Sequence, residues 1–191
     1  MGKNIMSSPA LSTLLLLLLS SSAAATTTTK SPRDLVHSSC AHASYPDICL
    51  RTLSSYSKPT TSLRELAQAA VRVSISRSNK AAGFLAQLKG NGKREEGALG
   101  DCVHQMSDSI YELGKTLSEL QNLRRGNDFK WHMSNAETWV SAALTYEDTC
   151  LDGFTEIDGK VRSDVKRAIT DVAKVTSNAL YLITRLDQTR G

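Results

Sequence analysis

Thr138-Trp139-Val140-Ser141-Ala142-Ala143-Leu144-Thr145-Tyr146-Glu147-Asp148-Thr149-Cys150-Leu151-Asp152-Gly153-Phe154 decides the fold. Trp139, Ala143, Tyr146, Cys150 and Phe154 recur every three or four residues, which places them on one face of an α-helix. That face is predicted to be core. Ala142, Thr145, Thr149 and Asp152 recur the same way on a neighbouring face. This second stripe is small, hydroxylated and acidic, so another protein's backbone could approach it closely. Ser134 with Glu137 three positions on has the form of a capping box at the helix start, and Gly153 suits its end. The core stripe holds one of only four cysteines, so a covalent tie from this helix to another is expected.

Upstream, Leu99, Cys102, Met106, Ile110, Leu113, Leu117 and Leu120 mark the core stripe of a helix from about Glu95 to Leu123. Asp101, His104, Asp108, Glu112, Lys115 and Glu119 form its polar stripe. Before it, Ser62 and Glu65 cap a helix whose apolar face runs from Leu63 to Leu88, interrupted by Arg77. Downstream of the breaks at Gly126 and Gly159, Ser163-Asp164 is expected to cap a last helix. Its core stripe includes Val165, Ile169, Val172, Thr176, Ala179, Ile183 and Leu186, and Arg185 and Arg190 stand near its C-terminus, where positive charge is favoured. Four long amphipathic helices on short connections predict antiparallel neighbours: an all-α, up-down-up-down four-helix bundle over 62–188. At 33–57 two short helices around Ser44-Tyr45-Pro46-Asp47 form a helical hairpin. They are too short to stand alone, so they must pack on another surface, a neighbouring molecule's included.

Residues 1–25 have the construction of a secretory signal peptide: Lys3, the unbroken run Leu14–Leu19, then Ala23-Ala24-Ala25. The apolar stretch is shorter than the ~20 residues a membrane span needs. Residues 26–32, opening on the low-complexity run Thr26 to Thr29, are expected to be a disordered lead-in. A secreted, extracellular destination makes disulfides the default for Cys40, Cys49, Cys102 and Cys150. Three pairings are open. Cys40–Cys49 with Cys102–Cys150 is favoured, because one closes a short loop around Pro46 and the other ties two long helices.

Little in the sequence points to catalysis. Aromatics make up 5% of the residues and the net charge is +4, a mild balance with no dense basic cluster of the kind that binds nucleic acid. There is no phosphate loop, zinc motif or nucleophile elbow. His37, His42, His104 and His132 are scattered. Asp148 and Asp152 lie one turn apart and could pair for acid–base work, but a solvated acidic face explains them as well. No cofactor, metal, nucleic acid, membrane or small-molecule substrate is called for.

The stapled hairpin with Pro46 inside, Cys102 early in a long helix, and Trp139 to Thr145 running into Asp148-Thr149-Cys150-Leu151-Asp152-Gly153-Phe154 together resemble the plant invertase and pectin methylesterase inhibitor family. The resemblance covers about Asp34 to Leu186. It implies a four-helix bundle with a helical hairpin, the same two disulfides, and inhibition of a cell-wall enzyme through a 1:1 complex over its active-site cleft. Invertase inhibitors resemble one another in a Pro-Lys-Phe motif between the second and third bundle helices. This chain has Gly126-Asn127-Asp128-Phe129-Lys130-Trp131 there, which argues for pectin methylesterase as partner, with invertase the alternative. A similar domain precedes the catalytic domain of some pectin methylesterases. None follows within these 191 residues, so a stand-alone inhibitor is expected. Matching positions implicate Asp108, Thr149 and Asp152 in the target interface, and the stripe itself adds Thr145. A rival of another class is a secreted bundle that holds a small apolar ligand between its helices.

Overall fold

The computed structural model describes residues 31–56, 60–124 and 126–189, and among these six α-helices and no strand occur. The expected signal peptide, the lead-in up to residue 30 and Arg190 lie outside the described residues. Helices α1 (Pro32–Cys40) and α2 (Pro46–Ser54) make the hairpin. Helices α3 (Leu63–Leu85), α4 (Lys93–Asn122), α5 (Asn127–Asp152) and α6 (Lys160–Gln188) make the bundle.

Local chemistry sets the helix starts. Ser31 and Asp34 close a reciprocal capping box on α1. Pro46 opens α2, where its missing N–H costs nothing. The Ser62 hydroxyl accepts from the Glu65 N–H at 3.2 Å, and the Glu65 carboxylate accepts from the Thr61 N–H at 2.7 Å. Two expected caps are wrong. Helix α5 begins seven residues before Ser134, and α6 begins at Lys160 rather than at Ser163. In each case a glycine with positive φ, Gly126 at 102° and Gly159 at 106°, turns the chain immediately ahead of the helix. Ser163 instead donates back to the Gly159 carbonyl at 3.1 Å, and Asp164 pairs with Lys160 and Arg167. Gly153 does end α5, but in right-handed conformation at φ −58°.

Helices α3 to α6 form a closed ring in which each packs on the next and α6 returns to α3. Going along α4 from Cys102 to Glu119 runs backwards along α5 from Cys150 to His132, so the pair is antiparallel. The favoured disulfides are both present: Cys40–Cys49 with Cα atoms 5.5 Å apart, and Cys102–Cys150 at 4.4 Å. The hairpin packs on its own bundle. Asn178 of α6 clasps the Tyr45 backbone, accepting from its N–H at 2.9 Å and donating to its carbonyl at 3.0 Å. Arg185 donates to the Ser38 carbonyl at 3.0 Å. Val36, Cys40, Cys49 and Leu53 thereby join the core.

The core stripe of α5 differs from the expected one. It runs Phe129, Met133, Ala136, Val140, Ala143, Glu147, Cys150, and Phe154 follows just beyond the helix. Trp139 and Tyr146 are only half-buried. In α4, Ser109 and Thr116 are fully buried where Ile110 and Leu117 were expected. Both errors share a cause: polar side chains occupy true core positions, so the adjacent apolar positions look like the buried face.

Those polar side chains form a layer. Ser74 and Ser78 of α3, Ser109 of α4, Glu147 of α5 and Thr176 of α6 are all 0% exposed. They separate one apolar cluster, which includes Leu66, Leu113, Val140 and Leu182, from another, which includes Leu85, Met106, Cys150 and Ile169. Ser109 and Thr176 both donate to Glu147 Oε1, at 2.8 and 3.0 Å. Glu147 Oε2 is buried and has no partner among the described residues. Burial disfavours the charged form and pushes the carboxyl from 4.5 up to about 7, against the pull of the two hydroxyl donors.

Charge divides the ring in two. Helices α3 and α6 carry ten Lys and Arg against four Asp and Glu, whereas α4 and α5 carry four against eleven. Arg77, out of place on an apolar face, is exposed and pairs with Asp171 of α6 at 3.0 Å.

Two stability predictions follow from the buried layer and the clamp. A carboxyl with a raised folded value holds its proton more tightly when folded. Its contribution is therefore intact below pH 4.5 and is lost as pH rises toward 7. The shift corresponds to roughly 3 kcal/mol, or roughly 6–12 °C in Tm for a domain of this size. Glu147→Gln should remove most of the difference between melting curves at acidic and slightly alkaline pH; an unchanged slope would refute the assignment. Replacing both Cys102 and Cys150 by Ala should cost about 4 kcal/mol in urea unfolding, since the bridge closes a 48-residue separation.

Candidate functional site

The outer face of the α4–α5 pair presents the candidate site. Thr145, Thr149 and Asp152 of α5 and Asp108 of α4 are all exposed, as the stripe pattern predicted. The Cys102–Cys150 bridge and the Ser109–Glu147 hydrogen bond bracket Asp108 between the levels of Leu144 and Asp148, close to that of Thr145. Thr149 follows Thr145 by one turn, and Asp152 lies three residues further on. Both threonine hydroxyls bond back along the helix, Thr145 to the Ser141 carbonyl at 3.1 Å and Thr149 to the Thr145 carbonyl at 2.7 Å. Their rotamers are thus held, and they offer a methyl group and oxygen lone pairs outward. Cys150 is buried directly beneath, 2% exposed, so the surface rests on a covalent floor.

Sequence reasoning missed the aromatic half of this face. Lys115 lies seven residues, two turns, beyond Asp108 and so shares its side of α4. Its Nζ sits 3.0 Å from the Trp139 ring centroid and 5.5 Å from that of Tyr111. The Trp139 ring thus lies under a cation at the seam, outside the core. Tyr111 is 67% exposed, and beyond it Trp131 is 62% exposed. Trp131 packs edge-on against His132, which hydrogen-bonds Glu119 across the seam. Exposed aromatics beside a rigid small-residue stripe are the composition of a protein-binding surface. The available signal was that Tyr111 falls off the α4 core stripe. Phe129-Lys130-Trp131, expected between helices, is already the first turn of α5, with Phe129 buried.

The alternatives find less support in this geometry. Asp148 and Asp152 both stand exposed on a convex helix face, a poor setting for acid–base catalysis. The bundle axis is filled by Leu66, Met106, Leu113, Leu120, Met133 and Ile169, each under 2% exposed, so an apolar ligand would have to displace packed side chains. No helix among the described residues is long and apolar enough to cross a membrane.

Comparison with known proteins agrees with this architecture. A sequence profile described as plant invertase/pectin methylesterase inhibitor matches residues 34–182. The chain is 54% identical over 167 residues to pectinesterase inhibitor 3 of Arabidopsis thaliana, covering 83% of this chain and 82% of that one. It is 42% identical over 156 residues to a 21 kDa protein of Daucus carota, covering 78% and 81%. The fold matches the crystal structure of a mutant form of a pectin methylesterase inhibitor from Arabidopsis with a TM-score of 0.64 at 21% identity, covering 81% of this chain and 97% of the other. The four-helix ring, its stapled hairpin and these likenesses place the chain in the plant invertase/pectin methylesterase inhibitor family.

Proposed function

We propose that this protein is a secreted inhibitor of pectin methylesterase, acting in a 1:1 complex in which the α4–α5 face caps the enzyme's pectin-binding cleft. The observation that carries this reading is the rigid outer face above the Cys102–Cys150 bridge, with exposed Asp108, Thr145, Thr149 and Asp152 on adjacent antiparallel helices. Such a face suits occlusion. It is convex, its backbone is pinned, and ordering it on binding costs little conformational entropy. Nothing on it needs to react: methylated polygalacturonan is kept out by volume alone. Tyr111 and Trp139 extend the contact as apolar anchors, and the acidic surplus of α4 and α5 suits a partner with a basic rim. Pectin methylesterase is favoured over invertase because a relative at 54% identity is a pectinesterase inhibitor. The changed Phe129-Lys130-Trp131 segment supports the same choice.

Thr149→Arg should abolish inhibition of pectin methylesterase, weakening binding at least about tenfold, while circular dichroism and melting stay unchanged because the side chain is exposed. Retained inhibition moves the interface off this face. Because charged side chains contribute, affinity should fall as salt rises from about 0.05 to about 0.5 M. A flat titration counts against carboxylates at the contact. Assaying purified protein against both pectin methylesterase and invertase separates the two targets directly.

A further inference from the structure

The opposite edge of the ring, where α3 meets α6, carries a trough that capping an enzyme does not use. Two clefts of about 430 and 380 Å³ share Arg77 and Lys80 and so lie side by side. The first extends to Arg51 of the hairpin and is walled by Tyr56; the second extends to Arg167 of α6 and is walled by Phe84. Four cations thus line the two adjoining clefts. Two of these cations are already paired, Arg77 with Asp171 of the lining and Arg167 with Asp164. Arg51 and Lys80 are exposed and have no ion pair among the described residues. From Val73 to Phe84 the α3 wall runs roughly 16 Å, room for several sugar rings.

We propose that this trough binds a linear acidic polysaccharide, namely the de-esterified polygalacturonate that pectin methylesterase produces. The choice of ligand rests on the pectin methylesterase reading. Hydrolysis of a pectin methyl ester leaves a carboxylate on each processed sugar, so the product is a polyanion where the substrate is neutral. Arg and Lys along the trough match those carboxylates, which guanidinium groups can hold in bidentate fashion. Phe84 is 36% exposed and offers a ring on which a sugar face can lie. Cations combined with aromatic walls and hydroxyls from Thr52, Ser55 and Ser76 suit a polyhydroxylated polyanion better than a flat lipid surface. The ring geometry puts this trough on the edge opposite the α4–α5 face, so one inhibitor can hold processed pectin while capping an esterase. It would then be concentrated where the enzyme has already acted.

Affinity electrophoresis of the mature protein at about 50 mM salt, in gels containing polygalacturonate or fully methylesterified pectin, tests this. Retardation is expected in the first gel only. Arg51→Glu/Lys80→Glu should weaken polygalacturonate binding about tenfold, while esterase inhibition and melting temperature stay as in the wild type. Lys89→Glu/Lys93→Glu makes the same charge change outside the trough and should leave retardation near wild type. Equal retardation in both gels, or equal loss in both double variants, overturns the proposal. So does equally tight binding to dextran sulfate or anionic phosphatidylserine vesicles. Because binding is read without esterase, a wild-type protein that inhibits the esterase but is not retarded by polygalacturonate refutes the trough alone. Intact, trough-dependent retardation without inhibition refutes only the inhibitor reading.

Discussion

The clamp between Cys102 and Cys150 is the constraint from which the rest of the geometry follows. It joins the first third of α4 to the last turn of α5, with Cα atoms 4.4 Å apart. Two antiparallel helices tied so closely cannot slide along one another, which makes their register permanent. That register sets Ser109 against Glu147 inside and Lys115 against Trp139 outside. The same bond therefore organises a buried polar layer and an exposed face. It also explains why the small residues of α5 can serve as surface: the helix needs no bulky outward packing to stay in place.

The buried layer is costly if Glu147 is charged and far less so if it keeps its proton. A neutral carboxyl that accepts two hydroxyl hydrogen bonds can sit between two apolar clusters. A carboxylate there would have one oxygen without a partner. Such a layer can favour one register of the four helices over its neighbours, since an apolar interior alone tolerates slippage better than one with matched donors and acceptors. The stability of the bundle is thereby tied to acidity through one residue.

Charge segregation is the other global feature. An acidic α4–α5 edge and a basic α3–α6 edge leave the net charge mild, so composition conceals a strongly polar molecule. The two edges are suited to different partners, one with a basic rim and one with a regular array of carboxylates. Packing the hairpin against α3 and α6 brings Arg51 to the basic edge, a placement that sequence separation hides.

Much of this was legible in the linear chain. Helix number, approximate helix limits, the antiparallel order and the exposure of Asp108, Thr145, Thr149 and Asp152 all follow from spacing, because a 3.6-residue period and short connections leave few alternatives. Four cysteines allow three pairings, and the favoured one, a short loop in the hairpin plus a tie between two long helices, is the one present. What the chain alone did not reveal is that the buried stripe of α5 runs through Val140 and Glu147 instead of Trp139 and Tyr146. Aromatic Trp139 and Tyr146 marked the expected core face, and Glu147 entered neither stripe. Only the packed structure supplies Ser109 and Thr176 from two other helices as donors to Glu147 Oε1 and so turns that side chain inward. Burial is decided by the partners a side chain meets in three dimensions, and those partners lie 29 to 38 residues away in sequence.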